Sequence, residues 1–180
     1  MRTRDISLIE QSESMCGPAS LVSILSFYGI KTTEAELARL CGSNMDGTWS
    51  AGIVNAARVF GLDGYVYDNS TWELMAQAIE DGPVIVNWTS GGVGHYSVAY
   101  RVIGDEVLIA DPEGPTIRTM SKADFLSVWF DSDPNVPLTT HRRMIVIREL
   151  GTGRLSYPTV DVHLEMEKLH PLSGMRKDSK

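Results

Sequence analysis

The apolar residues of this chain change their spacing at Asp81-Gly82-Pro83, and that change limits what the chain can fold into. Upstream, Leu21, Val22, Ile24, Leu25 and Tyr28 recur every three or four positions, as on one face of a helix. Pro18 sits near the first turn of that helix and Gly29 stops it. Thr33-x-x-Glu36 is a capping box for a second helix, with Leu37 and Leu40 on its apolar side and Gly42 at its end. A third helix is predicted from about Ser50 through Ile53, Val54, Ala57 and Phe60 to Gly61. Ser70-x-x-Glu73 caps a fourth, which runs to Ile79.

Downstream the pattern is that of strands. Val84-Ile85-Val86 is a short apolar run, and residues 95 to 103 and 106 to 110 read as two antiparallel strands joined by a tight turn at Gly104-Asp105. Ser121-x-x-Asp124 caps a late helix that reaches about Phe130, and residues 143 to 148 form a closing strand. A helical half followed by a sheet half predicts an α+β fold, with an N-terminal helical lobe packed on a C-terminal antiparallel sheet.

With 180 residues, 43% of them hydrophobic, the chain can build one core and is short for two. One domain is expected over residues 1 to 150, followed by an extension over 151 to 180 that holds two prolines, lacks apolar periodicity and is disordered at its tip. A net charge of -7 without a dense Lys/Arg cluster argues against nucleic acid as a partner. Two cysteines without CxxC spacing give neither a disulfide framework nor a zinc set. His141, His163 and His170 have no companion at ligand spacing, so no metal is expected. The N-terminus lacks the apolar stretch of a secretory signal, and no run approaches the roughly 20 apolar residues of a membrane span. The expected protein is therefore cytoplasmic, without an integral membrane segment; its oligomeric state is left open.

The chemistry lies in three separated places. Cys16-Gly17-Pro18 puts a thiol at a helix start, Gly94-His95 an imidazole at a strand start, and Asp111-Pro112 a carboxylate at the end of the next strand. A thiol attacks as thiolate, so thiol catalysis needs an adjacent imidazole, and the imidazole needs a third group to fix its tautomer and direction. Each residue also has a plainer reading: a buried small apolar side chain, a satisfied strand histidine, an Asp-Pro turn. Cys41, late in the second helix, is read as core. Residues 91 to 94 are read as a flexible loop that leaves room beside His95.

Over residues 8 to 148 the chain resembles the C39-like peptidases of the papain-like cysteine protease superfamily, which include the bacteriocin-processing domains that precede some ABC transporters. The likeness rests on Gln11 with Cys16-Gly-Pro-Ala-Ser-Leu, Tyr28-Gly29-Ile30, Asp46-Gly47-Thr48, Phe60-Gly61-Leu62, Gly82-Pro83-Val84-Ile85-Val86, the His95 strand, residues 107 to 112, and Phe125 with Trp129. It implies a papain-like fold with Cys16 as nucleophile, His95 as general base and acid, Asp111 as orienting group and Gln11 as oxyanion donor. In many relatives the glutamine stands six positions before the cysteine; here Gln11 stands five before, and Glu10 takes the sixth.

The resemblance implies a cysteine peptidase that cleaves a peptide or protein substrate through a thioester, with no cofactor, and a leader or precursor peptide is one candidate substrate. Two other functions stay open. The same thioester serves an acyltransferase or deamidase, and a C39-like domain that only binds peptides would share the fold.

Overall fold

The computed structural model describes residues 5–132, 139–152 and 154–161. Its elements are α1 (Cys16–Phe27), α2 (Glu34–Cys41), α3 (Ser50–Val59), β1 (Leu62–Tyr67), α4 (Trp72–Asp81), β2 (Val84–Ser90), β3 (Val93–Ile103), β4 (Glu106–Asp111), β5 (Thr116–Ser121), α5 (Lys122–Val128), β6 (Phe130–Ser132), β7 (Thr139–His141) and β8 (Arg143–Glu149). Six strands form one antiparallel sheet in the order β1-β8-β2-β3-β4-β5, and β6 pairs with β7 in a separate ladder. This is the expected α+β arrangement, with α1 fully enclosed along residues 17 to 25.

Alternation along the strands sorts the side chains into two cores. Ile145 and Ile147 of β8 join Leu21, Ile24, Leu37 and Ile53 of the first three helices, whereas Met144 and Val146 join Met75, Phe125 and Trp129 of α4 and α5. The sheet is thus covered on both faces, and α4 lies across it from its sequence neighbours. Hydrophobic spacing marks α4 as a helix but carries no information on which face it covers.

Several elements differ from expectation. β1 escapes a reading by alternation because Gly64 interrupts it; in the fold an added Cβ at Gly64 would stand 3.0 Å from Val54 Cγ2, so the glycine lets α3 lie close against the strand. β5 escapes because four of its six residues are exposed. The cap of α4 is Thr71, whose side chain accepts from the Leu74 N–H at 3.0 Å, while Ser70 is buried. The run from 91 to 94 is not one loop: Gly91 and Gly92, with φ of 59° and 84°, form a two-residue hairpin turn, and Val93 and Gly94 already belong to β3. The closing strand β8 enters the middle of the sheet, between β1 and β2.

Beyond Glu149 the chain turns back to β1. The Leu155 N–H donates to the Tyr67 hydroxyl at 2.9 Å, the Tyr157 hydroxyl to the Asn69 carbonyl at 2.8 Å, and the Val160 N–H to the Val66 carbonyl at 2.8 Å. The tip of the extension, with His163 and His170, lies outside the described residues. Among the described residues no helix is long and apolar enough to cross a membrane.

Candidate active site

Cys16 is the first residue of α1 and is partly exposed, while the residues that follow it are buried. Met15 before it makes no side-chain cap, and no acidic residue stands in the first turn. The leading N–H groups of α1 therefore remain available at the positive end of the helix. Gly17 is required by space: a Cβ there would come within 2.8 Å of Thr48 Cβ, on the loop before α3. That loop is pinned by the Ser43–Thr48 hydroxyl contact at 2.6 Å, so the helix start is held firmly.

His95, 6% exposed on β3, bridges the other two groups. Its Nε2 lies 2.7 Å from Asp111 Oδ1, which leaves Nδ1 for Cys16, the other side chain that raises the imidazole pKa. Burial pushes the imidazole pKa down, but the bonds to Asp111 and Cys16 outweigh burial and hold it up at about 9. The Trp88 indole packs edge-on to the ring at 5.8 Å and donates Nε1–H to Ser97 Oγ at 3.1 Å.

Asp111 ends β4 with its side chain wholly buried. Oδ1 receives the His95 nitrogen, the Glu113 N–H at 3.0 Å and the Ser97 hydroxyl at 3.4 Å. Oδ2 faces Arg118 Nε in an ion pair. Burial raises the carboxyl pKa, yet His95, the Glu113 N–H and Arg118 together bring it below the usual value.

Gln11 reaches the same place from the extended lead. Its N–H donates to the Pro112 carbonyl at 3.0 Å, so residue 11 lies against the end of β4, and its side-chain oxygen is buried. Glu10 is exposed. The five-residue spacing to Cys16 is accommodated by a tight turn in which Met15 N–H donates to the Ser12 carbonyl at 3.1 Å and Ser14 takes a φ of 62°. All four residues singled out in the sequence thus come to one end of the sheet.

A polar cluster supports this end from below. The Ser50 and Tyr96 hydroxyls meet at 3.0 Å, Arg143 makes two 2.7 Å bonds to Asp68, and Asn87 donates to Asp131 at 3.0 Å. Asp131 in turn rests on Gly94, where an added Cβ would lie 2.2 Å from its Oδ1. Sequence reasoning found none of these supports, nor Arg118 and Ser97. The one local signal was the even spacing of His95 and Ser97, which places both on one face of a strand.

The second thiol is different: burial pushes Cys41 up to about 12, so it stays protonated and unreactive. The site is thus a thiol at a helix N-terminus joined to a buried imidazole–carboxylate pair, an arrangement suited to proton transfer from sulfur and to attack on a carbonyl.

The chain is similar to known proteins in sequence and in fold. The sequence model of the peptidase C39 family matches residues 5–132. The chain is 33% identical over 126 residues to the lactococcin-G-processing and transport ATP-binding protein LagD of Lactococcus lactis subsp. lactis, a match that covers 68% of this chain and 17% of that protein. It therefore spans about a sixth of the length of that relative. Among solved structures it is similar to the peptidase domain of Streptococcus ComA, with 26% identity, a TM-score of 0.64, and coverage of 81% of this chain and 99% of the other. The fold also matches a double glycine motif protease from an AMS/PCAT transporter in complex with the leader peptide, at 21% identity and a TM-score of 0.63, covering 81% of this chain and 92% of the other.

Proposed function

The chain belongs to the peptidase C39 family and is a cysteine peptidase, and from that premise we propose that Cys16 is its nucleophile and His95 its general base and acid. Asp111 orients the imidazole, and the Gln11 amide joins the Cys16 N–H in binding the oxyanion. The thiolate attacks the scissile carbonyl carbon, the C–N bond breaks as His95 gives its proton to the departing amine, and a thioester remains. Water then gives a proton to His95 and attacks the thioester, releasing the acid and regenerating the thiol.

The observation that carries this reading is the position of His95, whose Nε2 lies 2.7 Å from Asp111 Oδ1 and whose pKa is raised by Cys16 as well as by Asp111. One oxyanion donor of the Gln11 kind is typically worth about 3 kcal/mol to the tetrahedral intermediate.

We take the substrate to be a peptide that carries a double-glycine motif, as for the double glycine motif protease of the AMS/PCAT transporter, whose fold this chain shares. Two unpaired thiols fit a reducing cytoplasm, where we place the activity. The test is incubation of the protein with a synthetic double-glycine peptide and mass analysis of the products. Two fragments whose masses sum to the peptide plus one water are expected, and Cys16→Ala and His95→Ala each lower the rate at least about a thousandfold. A product one mass unit heavier than the peptide, or one carrying an added amine, would instead identify a deamidase or acyltransferase.

A further inference from the structure

We propose that Arg118 is a positioning residue of this site: its guanidinium holds the Asp111 carboxylate in the rotation that turns Oδ1 toward His95. This rests on the catalytic reading above and adds to it a residue on β5, the outer strand of the sheet.

The two oxygens of Asp111 are served unequally. Oδ1 collects the His95 nitrogen, the Glu113 N–H and the Ser97 hydroxyl. Oδ2 is buried and, among the described residues, makes no hydrogen bond; the charge that faces it is Arg118 Nε. A buried anionic oxygen without a donor is costly, so this one cation decides whether the observed rotamer is tolerated. The sheet register supplies the contact. Asp111 pairs with Thr116 and Ile109 with Arg118, which makes Arg118 the diagonal cross-strand neighbour of Asp111 on the same face.

The arginine is itself half outside. Its side chain is 43% exposed and lines a cleft of about 540 Å³ with Trp88, Thr89, Ser90, Met120 and Val128. Nε faces Asp111 while the side chain as a whole stays partly exposed, so the cation stays charged at little desolvation cost. Lysine carries its charge only at the tip of its side chain and would have to bring its whole ammonium group inward to replace that ion pair.

The charged and titratable groups around His95 come from five elements: Cys16 of α1, Tyr96 beside it on β3, Asp111 of β4, Arg118 of β5, and Asp131 of β6 against Gly94. Removing Arg118 takes away the cation in this set that faces Asp111. The imidazolium then persists to higher pH, while the carboxylate that aims it loses its fixed direction.

The test uses the full chain with Arg118→Gln, Arg118→Lys, Asp111→Asn and the Arg118→Gln/Asp111→Asn pair. Two quantities are read: the rate of Cys16 alkylation by iodoacetamide against pH, with buried Cys41 as internal control, and kcat and KM on the double-glycine peptide. Arg118→Gln is expected to lower kcat roughly tenfold with KM nearly unchanged, the scale of a misaimed catalytic group. It also moves the alkaline step in the alkylation profile, set by His95, to higher pH. Arg118→Lys recovers part of kcat and returns that step towards its original pH. In the Asp111→Asn background, removal of Arg118 changes neither quantity.

The inference is overturned if Arg118→Gln matches the parent in both readouts, or if it weakens Asp111→Asn by the same factor as the parent. Should Arg118→Gln not fold, Arg118→Lys and the double variant decide, because neither leaves a buried carboxylate facing no cation. A Cys16 alkylation profile unchanged by His95→Ala would instead sink the catalytic reading. A His95-dependent profile that is indifferent to Arg118 sinks the present inference alone.

Discussion

A buried imidazole between a thiol and a carboxylate makes folding respond to pH as well as catalysis. His95 rises from an ordinary 6.5 to about 9 in the folded chain, because its bonds to Asp111 and Cys16 outweigh the burial that opposes them. A folded value above the unfolded one means that the protonated ring stabilises the fold; that contribution is whole below pH 6.5 and is lost as pH rises through about 9. Asp111 has the opposite sign. Its folded value lies below 3.8, so its contribution is present above that pH and lost as the solution becomes more acid. The melting temperature of the protein is therefore expected to decline between pH 6.5 and 9, and to decline less steeply in His95→Gln. Calorimetric scans of both proteins across that range check it, and parallel curves would show that the His95 bonds add nothing to folding. Cys41 does not enter this window, since burial holds its proton to about 12.

The β2–β3 hairpin sets where His95 stands, and its glycines have distinct reasons. Gly91 and Gly92 supply the positive φ of the turn, whereas Gly94 supplies room for the Asp131 carboxylate, which Asn87 holds from the neighbouring strand. A methyl at position 94 would meet Asp131 Oδ1 at 2.2 Å, so either the carboxylate or the strand carrying His95 must shift. Gly94→Ala is expected to cost about 1–3 kcal/mol, the scale of overpacking, and to lower kcat/KM. Adding Asp131→Ala should restore part of the stability; thermal melts of the two variants check the order, and a Gly94→Ala protein with parental melting and activity contradicts it. The same elements show how much the sequence reveals. Cys16, His95 and Asp111 are legible because thiol chemistry demands those side-chain types at element ends, and helix and hairpin signals locate the ends. Arg118 is not legible, because its link to Asp111 needs β5, a strand whose exposed residues leave no apolar alternation. Gly64 hides β1 in the same way, since a glycine placed for close packing reads as a turn.

The order of strands makes the whole molecule depend on its last elements. β8 lies between β1 and β2, so the sheet that backs α1 and carries His95 is continuous only when residues 143–149 are in place. Arg148 ties that strand to α4: its guanidinium donates to the carbonyls of Ala78, Gly82 and Pro83 at 2.8 Å, placing a cation at the negative end of the helix. The segment after Glu149 then returns to β1, the outer strand on that side. Leu155 and Tyr157 pack on the core containing Tyr67, Val160 packs on the core beneath α1, and the Val160 N–H takes up the Val66 carbonyl. A chain ending at Leu150 would lose the three hydrogen bonds that reach Val66, Tyr67 and Asn69, and the cover over β1, that a chain ending at Asp161 keeps. At about 1 kcal/mol per bond plus the apolar contacts, the shorter chain is expected to be about 3–4 kcal/mol less stable. In urea this appears as a lower midpoint at a nearly unchanged slope, because little surface is exposed. Its kcat/KM under folding conditions should match that of the longer chain, since Cys16, His95, Asp111 and Arg118 bond to one another and to Ser97 and Glu113 rather than to residues 154–161. Equal midpoints for the two chains would mean that the returning segment only rests on the sheet, and a loss of activity without loss of stability would tie it to the cleft instead.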